Sequence, residues 1–326
     1  MMDHRSSRSH GGGVARSVCS ALSHAFCRRR GPFAPSRSIR NSKELPRSAP
    51  ISIQEQMERS VHARDRQIAA LGTERSTDVD ASNLASLTQT EQFYSNVLRD
   101  LLDSDLPFMI GGGFAVNLYT HARCPTKDLD IFTTAAEFPR LLSHLQRNNR
   151  VSADESWLGK VHRGRDYVDV IFGSSNGAVP VQEEWFQYAA QAQVLGHCVR
   201  VINPTELIWS KAFIQKRNRH DGVDIVHLIL KQREAIDWQR LIMYMNPHWE
   251  ILLCNLLMFR WIYPSERDAV PDWLLDDLLE RLRRQREGPP SATKLCRGRL
   301  LSGSDYRSAT EKWGFLNVED ECGNER

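Results

Sequence analysis

The sequence predicts an α+β (mixed α/β) protein, a small mixed sheet flanked by helices and followed by a helical C-terminal part. Three observations predict it. Between residues 86 and 203, short apolar runs bounded by glycine or charged turns alternate with amphipathic stretches. From Pro204 onward, apolar residues recur at helical spacing with few interruptions. The first 85 residues are rich in Ser, Arg, Gly and Pro and low in such periodicity, a composition that buries too little apolar surface to fold. The implied organisation is a disordered basic tail over 1–85, a core over 86–203, a helical region over 204–287 and a loose tail over 288–326.

Each element follows from a local signal. Within the tail, a helix fits Ile53 to Leu71, where Pro and Gly thin out. The folded part opens on a helix from about Ser86 through Leu102, with Thr88 and Glu91 at capping-box spacing. Leu106–Ile110 is an apolar run suited to a buried strand, and Gly111–Gly113 breaks it. Phe114–Thr120 reads as a short helix and Asp128–Thr133 as the next strand, with period-2 alternation. Glu137–Arg147 carries Phe138, Leu141, Leu142 and Leu145 at helical spacing. Trp157–His162 and Asp166–Phe172 form two strands around Arg163–Gly164–Arg165, and Gln193–Val201 holds another strand pair around Gly196–His197. Pro204 opens a helix to about Arg217. His220–Lys231 and Asp237–Met245 are amphipathic, Trp249–Tyr263 is apolar on most sides and reads as a buried helix, and Pro271–Arg286 gathers Trp273, Leu274, Leu278 and Leu282 on one face.

Composition bounds the class. The 326 residues fit one large domain or two modest ones, and 41% hydrophobic with 25% charged content is ordinary for a soluble globular chain. The net charge of +3 is unevenly spread: residues 1–43 hold nine Lys or Arg against one acid, Asp3, and the remainder holds 34 basic against 39 acidic residues. The body therefore has no global basic excess of the kind that announces nucleic-acid binding. Seven scattered cysteines include no CxxC pair, so a zinc or redox motif has little support. The most apolar segment, Ile251–Ile262, is too short for a membrane span of roughly 20 residues. A cytoplasmic protein is the reading of choice; the Arg- and Ser-rich N-terminus also has the composition of an organelle transit peptide.

The chemistry-bearing residues cluster in IGGGFAVNLYTHARCPTKDLDIF, residues 110–132. Asp128 and Asp130 stand two apart on a strand, so their side chains point the same way while Leu129 and Ile131 point into the core. Two carboxylates on one face repel unless a cation sits between them, and Mg²⁺ takes oxygen ligands of this kind. Alone, such a pair equally describes a solvated strand face. Gly112 and Gly113, between a strand and a helix, let the backbone approach a phosphate at a helix N-terminus. Neither a GK[ST] nor a GxGxxG sequence accompanies them, and a tight turn alone would also call for glycine. Asp169, in YVDVIF, is a single acid in an apolar strand, costly to bury unless paired or metal-bound, or else on an exposed edge. Facing the first two, it would complete a site for two metals.

The run GGFAVNLYTHARCPTKDLDIF resembles the nucleotide-binding signature of the DNA polymerase β-like nucleotidyltransferase superfamily, in which a glycine pair, a short helix and an acid–apolar–acid strand follow one another. The arrangement of Arg123, Thr126, Asp128 and Asp130 is most like the minimal bacterial branch that includes abortive-infection toxin-like nucleotidyltransferases. The likeness covers roughly residues 100–230; the Ser often found beside the motif glycine is replaced here by Gly113. It implies a nucleotidyltransferase-type sheet and a magnesium-dependent enzyme that moves an NMP from an NTP, such as ATP, to a hydroxyl on RNA, protein or a small molecule. The sequence does not name the acceptor; a tRNA or a protein is a candidate. Two Mg²⁺ ions, or Mn²⁺, would be held by the catalytic carboxylates Asp128, Asp130 and Asp169, and Gly112 and Gly113 would hold the triphosphate. Lys211, Asp221 and Asp224 fall where that branch lines its nucleotide site with a helical Lys and a later Asp. Their plain readings stay open: Lys211 as surface, and Asp221 as a helix cap. Arg123 and Thr126 either contact substrate or order the loop before Asp128. Arg217, Arg219 and Arg163–Arg165 either contact an RNA or are solvated. A nucleotide-binding regulator or toxin–antitoxin component without turnover is the alternative, and a helical interaction protein with an incidental acid pair is the third reading. Nothing in the sequence sets the oligomeric state.

Overall fold

A computed structural model of the chain describes residues 88–122, 126–153 and 155–317. The helix expected at 53–71 lies outside the described residues.

The first helix, α1, spans Gln89–Leu102. Its start is set by Thr88, which accepts from the Glu91 backbone while the Glu91 carboxylate accepts from Thr88 N–H at 2.8 Å. Phe93, Val97, Leu98 and Leu101 fall on the buried face of α1. Then come β1 (Met109–Ile110), α2 (Gly112–Thr120), β2 (Leu129–Phe132), α3 (Phe138–Leu145), β3 (Arg150–Ser152), β4 (Leu158–Arg163) and β5 (Asp166–Ile171). Helix α4 (Glu184–Tyr188), β6 (Ala190–Val194) and β7 (His197–Val201) complete the α/β part.

Seven strands form one mixed sheet in the order β3-β4-β5-β2-β1-β7-β6. β2 runs parallel to β5 and antiparallel to β1, and β1 runs parallel to β7. Alternation buries one row of the sheet: Leu129, Ile131, Val168 and Val170 are all fully buried. Asp130 and Asp169 are directly paired across β2 and β5. β5 is an interior strand between β4 and β2, which excludes an edge position for Asp169.

After the sheet the chain is helical: α5 (Pro204–Ala212), α6 (Gly222–Gln232), α7 (Trp238–Tyr244), α8 (Trp249–Ile262) and α9 (Asp272–Glu287). Three expectations need correction. Helix α5 ends at Ala212, not near Arg217, and a hairpin of β8 (Gln215–Lys216) and β9 (Arg219–His220) follows. Strands of two residues are too short to show a period. Strand β2 begins at Leu129, which leaves Asp128 in the bend before it. Helix α8 is not buried all round: Leu252, Leu256 and Phe259 are in the core, whereas Leu257 is 48%, Met258 45% and Trp261 80% exposed. Mean apolarity does not reveal which face meets a partner helix.

Beyond α9, where periodicity fades, the chain forms β10 (Leu295–Cys296), a 3₁₀ turn, α10 (Arg307–Glu311) and β11 (Leu316–Asn317). Polar contacts tie the segment to the rest of the fold, among them Arg297 with Glu250 at 4.0 Å. Asn176 Nδ2 donates to Leu300 O at 2.6 Å, and Arg217 pairs with Asp305 at 3.2 Å. Among the described residues no helix is long and apolar enough to cross a membrane.

Candidate active site

The site lies where the C-terminal end of β1, the start of α2 and the paired strands β2 and β5 meet. Ligand oxygens of Asp128, Asp130 and Asp169 all lie within 4.8 Å of one another. The strand register produces this directly: Asp130 and Asp169 are opposite residues, and opposite residues on one sheet face are near neighbours. Three carboxylates at that spacing form a donor set suited to a divalent cation.

Gly112 is where the fold makes room for them. It has φ of +56°, and a Cβ built there would lie 1.6 Å from Asp130 Oδ2. Only glycine allows both the left-handed backbone and the carboxylate packed against it. Gly111 N–H donates to Asp130 O at 3.0 Å, which fixes the turn to the strand. At Gly113, a Cβ would come 2.5 Å from Thr126 Cγ2, so the methyl of Thr126 packs against the first turn of α2. Arg123 lies outside the described residues.

Electrostatics mark the cluster as unsatisfied. Burial, reinforced by Asp128, pushes the Asp130 carboxyl up to about 7. Burial also raises Asp169, although the Lys160 ammonium at 2.6 Å from Oδ1 works against that rise. Such groups gain most from a bound cation.

A second charged cluster faces the first. Lys211, only 5% exposed, reaches Asp221 Oδ2 at 2.9 Å and Asp224 Oδ2 at 2.8 Å. Burial opposes its charge, and the two carboxylates outweigh burial, holding Lys211 above the ordinary lysine value. Arg219 Nε donates to Asp221 Oδ1 at 3.0 Å. Burial would raise the Asp221 carboxyl, but Arg219 and Lys211 hold it below the usual range. The structure therefore joins Lys211, Asp221 and Asp224, and the surface reading of Lys211 is excluded. Asp221 stands at the N-cap of α6 but makes no side-chain cap bond; its carboxylate goes to Lys211 and Arg219.

The two clusters share a cleft of about 730 Å³ whose lining includes Gly112, Asp130, Asp169, Lys211, Arg219 and Asp221. Asp128 completes the carboxylate group from beside that lining. Trp157 and Trp185 add aromatic surface, and the C-terminal segment contributes Arg299, Ser302 and Arg307. The Nε of Arg299 is buried with no hydrogen-bond partner.

Sequence reasoning missed Lys160, because its place opposite Asp169 depends on the β4–β5 register. The Arg163–Gly164–Arg165 turn carried the only signal, since a tight hairpin there fixes that register. Arg299 and Ser302 had no local signal.

No protein-family model matches the chain, and no curated protein matches it. Solved structures similar to it include ANT(2")-Ia in complex with adenylyl-2"-tobramycin, at 18% identity over 54% of this chain and 99% of that one, with a TM-score of 0.34. The lincosamide antibiotic adenylyltransferase LnuA, lincomycin-bound, is similar at 17% identity over 44% of this chain and 96% of that one, with a TM-score of 0.31. An antigenic nucleotidyltransferase-like protein from Paracoccidioides brasiliensis is similar at 16% identity over 56% of this chain and 93% of that one, with a TM-score of 0.35.

Proposed function

We propose that this protein is a metal-dependent nucleotidyltransferase that moves an NMP from an NTP to a hydroxyl acceptor. The observation that carries the reading is the convergence of Asp128, Asp130 and Asp169, with ligand oxygens within 4.8 Å, beside the glycine start of α2. A lone acid pair or a lone glycine turn has bland explanations. A third carboxylate from an interior strand, delivered to the same point, does not.

Roles follow from position. Asp128, Asp130 and Asp169 would hold Mg²⁺, or Mn²⁺, in a two-ion site. When bound, such ions stabilise the attacking and leaving oxygens of an in-line displacement. Gly112 and Gly113 present backbone N–H groups at the N-terminus of a nine-residue helix, where phosphate oxygens are favoured. Lys211, fixed by Asp221 and Asp224, would offer an oriented positive charge in the same cleft, and Arg219 a second. Arg123 and Thr126 flank the loop leading into Asp128, and the nucleotide contacts assigned to them belong to this reading. Asp169, as the third carboxylate of the cluster, would help activate the acceptor hydroxyl. The chain's main contributions are positioning and charge neutralisation. The motif arrangement favours the toxin-like branch of the superfamily, with a tRNA or protein hydroxyl as acceptor and ATP among the candidate donors.

The test is incubation of purified protein with each labelled NTP, Mg²⁺ and either total RNA or protein extract. Label should reach one acceptor class with the wild-type chain and not with an Asp128→Ala, Asp130→Ala double variant. Transfer that continues unchanged in the double variant would sink the assignment.

A further inference from the structure

One cation of the site comes with the chain. Lys160 is the direct cross-strand partner of Asp169 in the antiparallel β4–β5 pair, and its Nζ lies 2.6 Å from Asp169 Oδ1. On the other side, Asp169 is the register partner of Asp130. A row therefore runs across three adjacent strands at one level: ammonium, carboxylate, carboxylate. The same Lys160 ammonium sits 4.2 Å from the centroid of the Tyr167 ring, a second favourable contact for its charge. Its side chain is 34% exposed, against 12% for Asp169, so it can leave while Asp169 stays.

We propose that Lys160 is a positioning residue that occupies the Asp169 arm of the carboxylate cluster in place of a divalent ion. The inference rests on reading the three aspartates as a divalent-cation site. Without substrate, the chain then takes one ion strongly, through Asp128 and Asp130. A second ion gains Asp169 only when Lys160 moves off its carboxylate, and the Tyr167 ring that the ammonium already touches gives it a contact to keep. Two physical facts support this. An ammonium in hydrogen-bond contact occupies an oxygen that an incoming ion needs, and a fixed positive charge beside that oxygen repels the ion. A lysine on a flexible four-carbon stem can exchange partners without backbone movement, which a rigid, bidentate arginine could not do as readily. The occupancy of the second ion would thus be tied to substrate, whose phosphates supply the compensating negative charge.

The experiment is Mn²⁺ titration of the full chain without nucleotide, at fixed pH, with free Mn²⁺ read by electron paramagnetic resonance. Wild type should bind one ion tightly and a second weakly. Lys160→Met, which keeps the stem and removes the charge, should tighten the second ion at least ten-fold. Lys160→Arg, which keeps the charge and grips the carboxylate more rigidly, should bind the second ion no more tightly than wild type. If Lys160→Met binds the same number of ions with unchanged or weaker affinity, Lys160 is an ordinary cross-strand ion pair and the inference is wrong. If neither wild type nor variant binds Mn²⁺, the three-aspartate reading itself falls, and this inference falls with it. Thermal melting of each variant guards against a folding defect, and Lys160→Gln carries the same test should the Met variant fail to fold.

Discussion

At Gly112 a side chain has nowhere to go. Its backbone is left-handed and the Asp130 carboxylate occupies the place of a Cβ. Gly112→Ala should therefore cost about 1–3 kcal/mol in a denaturant melt and should also displace Asp130, weakening Mn²⁺ binding. A variant that melted like wild type and bound Mn²⁺ normally would contradict this. Asp130 makes its own pH prediction. Its carboxyl is raised from the ordinary 3.8 to about 7, so between those values the folded chain holds a proton that the unfolded chain has lost. The stabilisation is full below the lower value and is lost as pH rises through the upper one, with a slope approaching about 1.4 kcal/mol per pH unit. Metal-free protein should lose stability across that window, Asp130→Asn should flatten the profile, and added Mn²⁺ should restore stability near pH 8; at pH 6, where Asp130 still holds its proton, Mn²⁺ binding should release it, measurable by calorimetry in two buffers. A flat metal-free wild-type profile would remove the argument.

Elements were legible in the sequence where they were long or strongly patterned, and the helices show it best: α1 through its cap, α6, α7 and α9 through their spacing. The site was legible for a related reason. Asp128, Asp130 and the glycines are close in sequence, and Asp169 stands out as an acid among Val168, Val170 and Ile171. Lys160 and Asp169 illustrate what was not legible, since pairing across strands is set by register and no local pattern states it. The same limit hid the ion pair that joins two helices of the C-terminal part. Glu206 of α5 is wholly buried and accepts from Arg240 Nε of α7 at 2.6 Å. Burial raises the Glu206 carboxyl, and Arg240 works against that rise. Arg240→Met would strand a buried carboxylate and should cost about 3–5 kcal/mol by chemical denaturation. A loss below about 1 kcal/mol would mean that water reaches Glu206.

On the scale of the whole molecule, the segment after α9 passes from the loop following β5 to the β8–β9 hairpin and walls one side of the cleft. Periodicity could not announce it, because elements of two to five residues carry no period. Asp305 is its outer anchor, accepting from Ser302 Oγ at 2.7 Å and from the Arg217 backbone at 3.2 Å. These contacts are near the surface, so Asp305→Ala should leave the melting temperature within a few degrees of wild type. Limited proteolysis should nevertheless cut within 297–311 faster. Equal cleavage rates would show that the segment is held without Asp305, by contacts such as those of Asn176 with Leu300 and Arg297 with Glu250.

The placement of the tryptophans has an optical consequence. Trp185 is 1% exposed and Trp261 is 80% exposed, while Trp157 and Trp185 both line the cleft. A collisional quencher such as iodide should extinguish Trp261 and Trp313, which is 65% exposed, and spare Trp185, splitting the chain's ultraviolet emission into an outer and an inner population. With Trp261→Phe and Trp313→Phe removing the most exposed indoles, the change in the remaining emission on adding a ligand would follow filling of the cleft that Trp157 and Trp185 line, with no label attached to either partner.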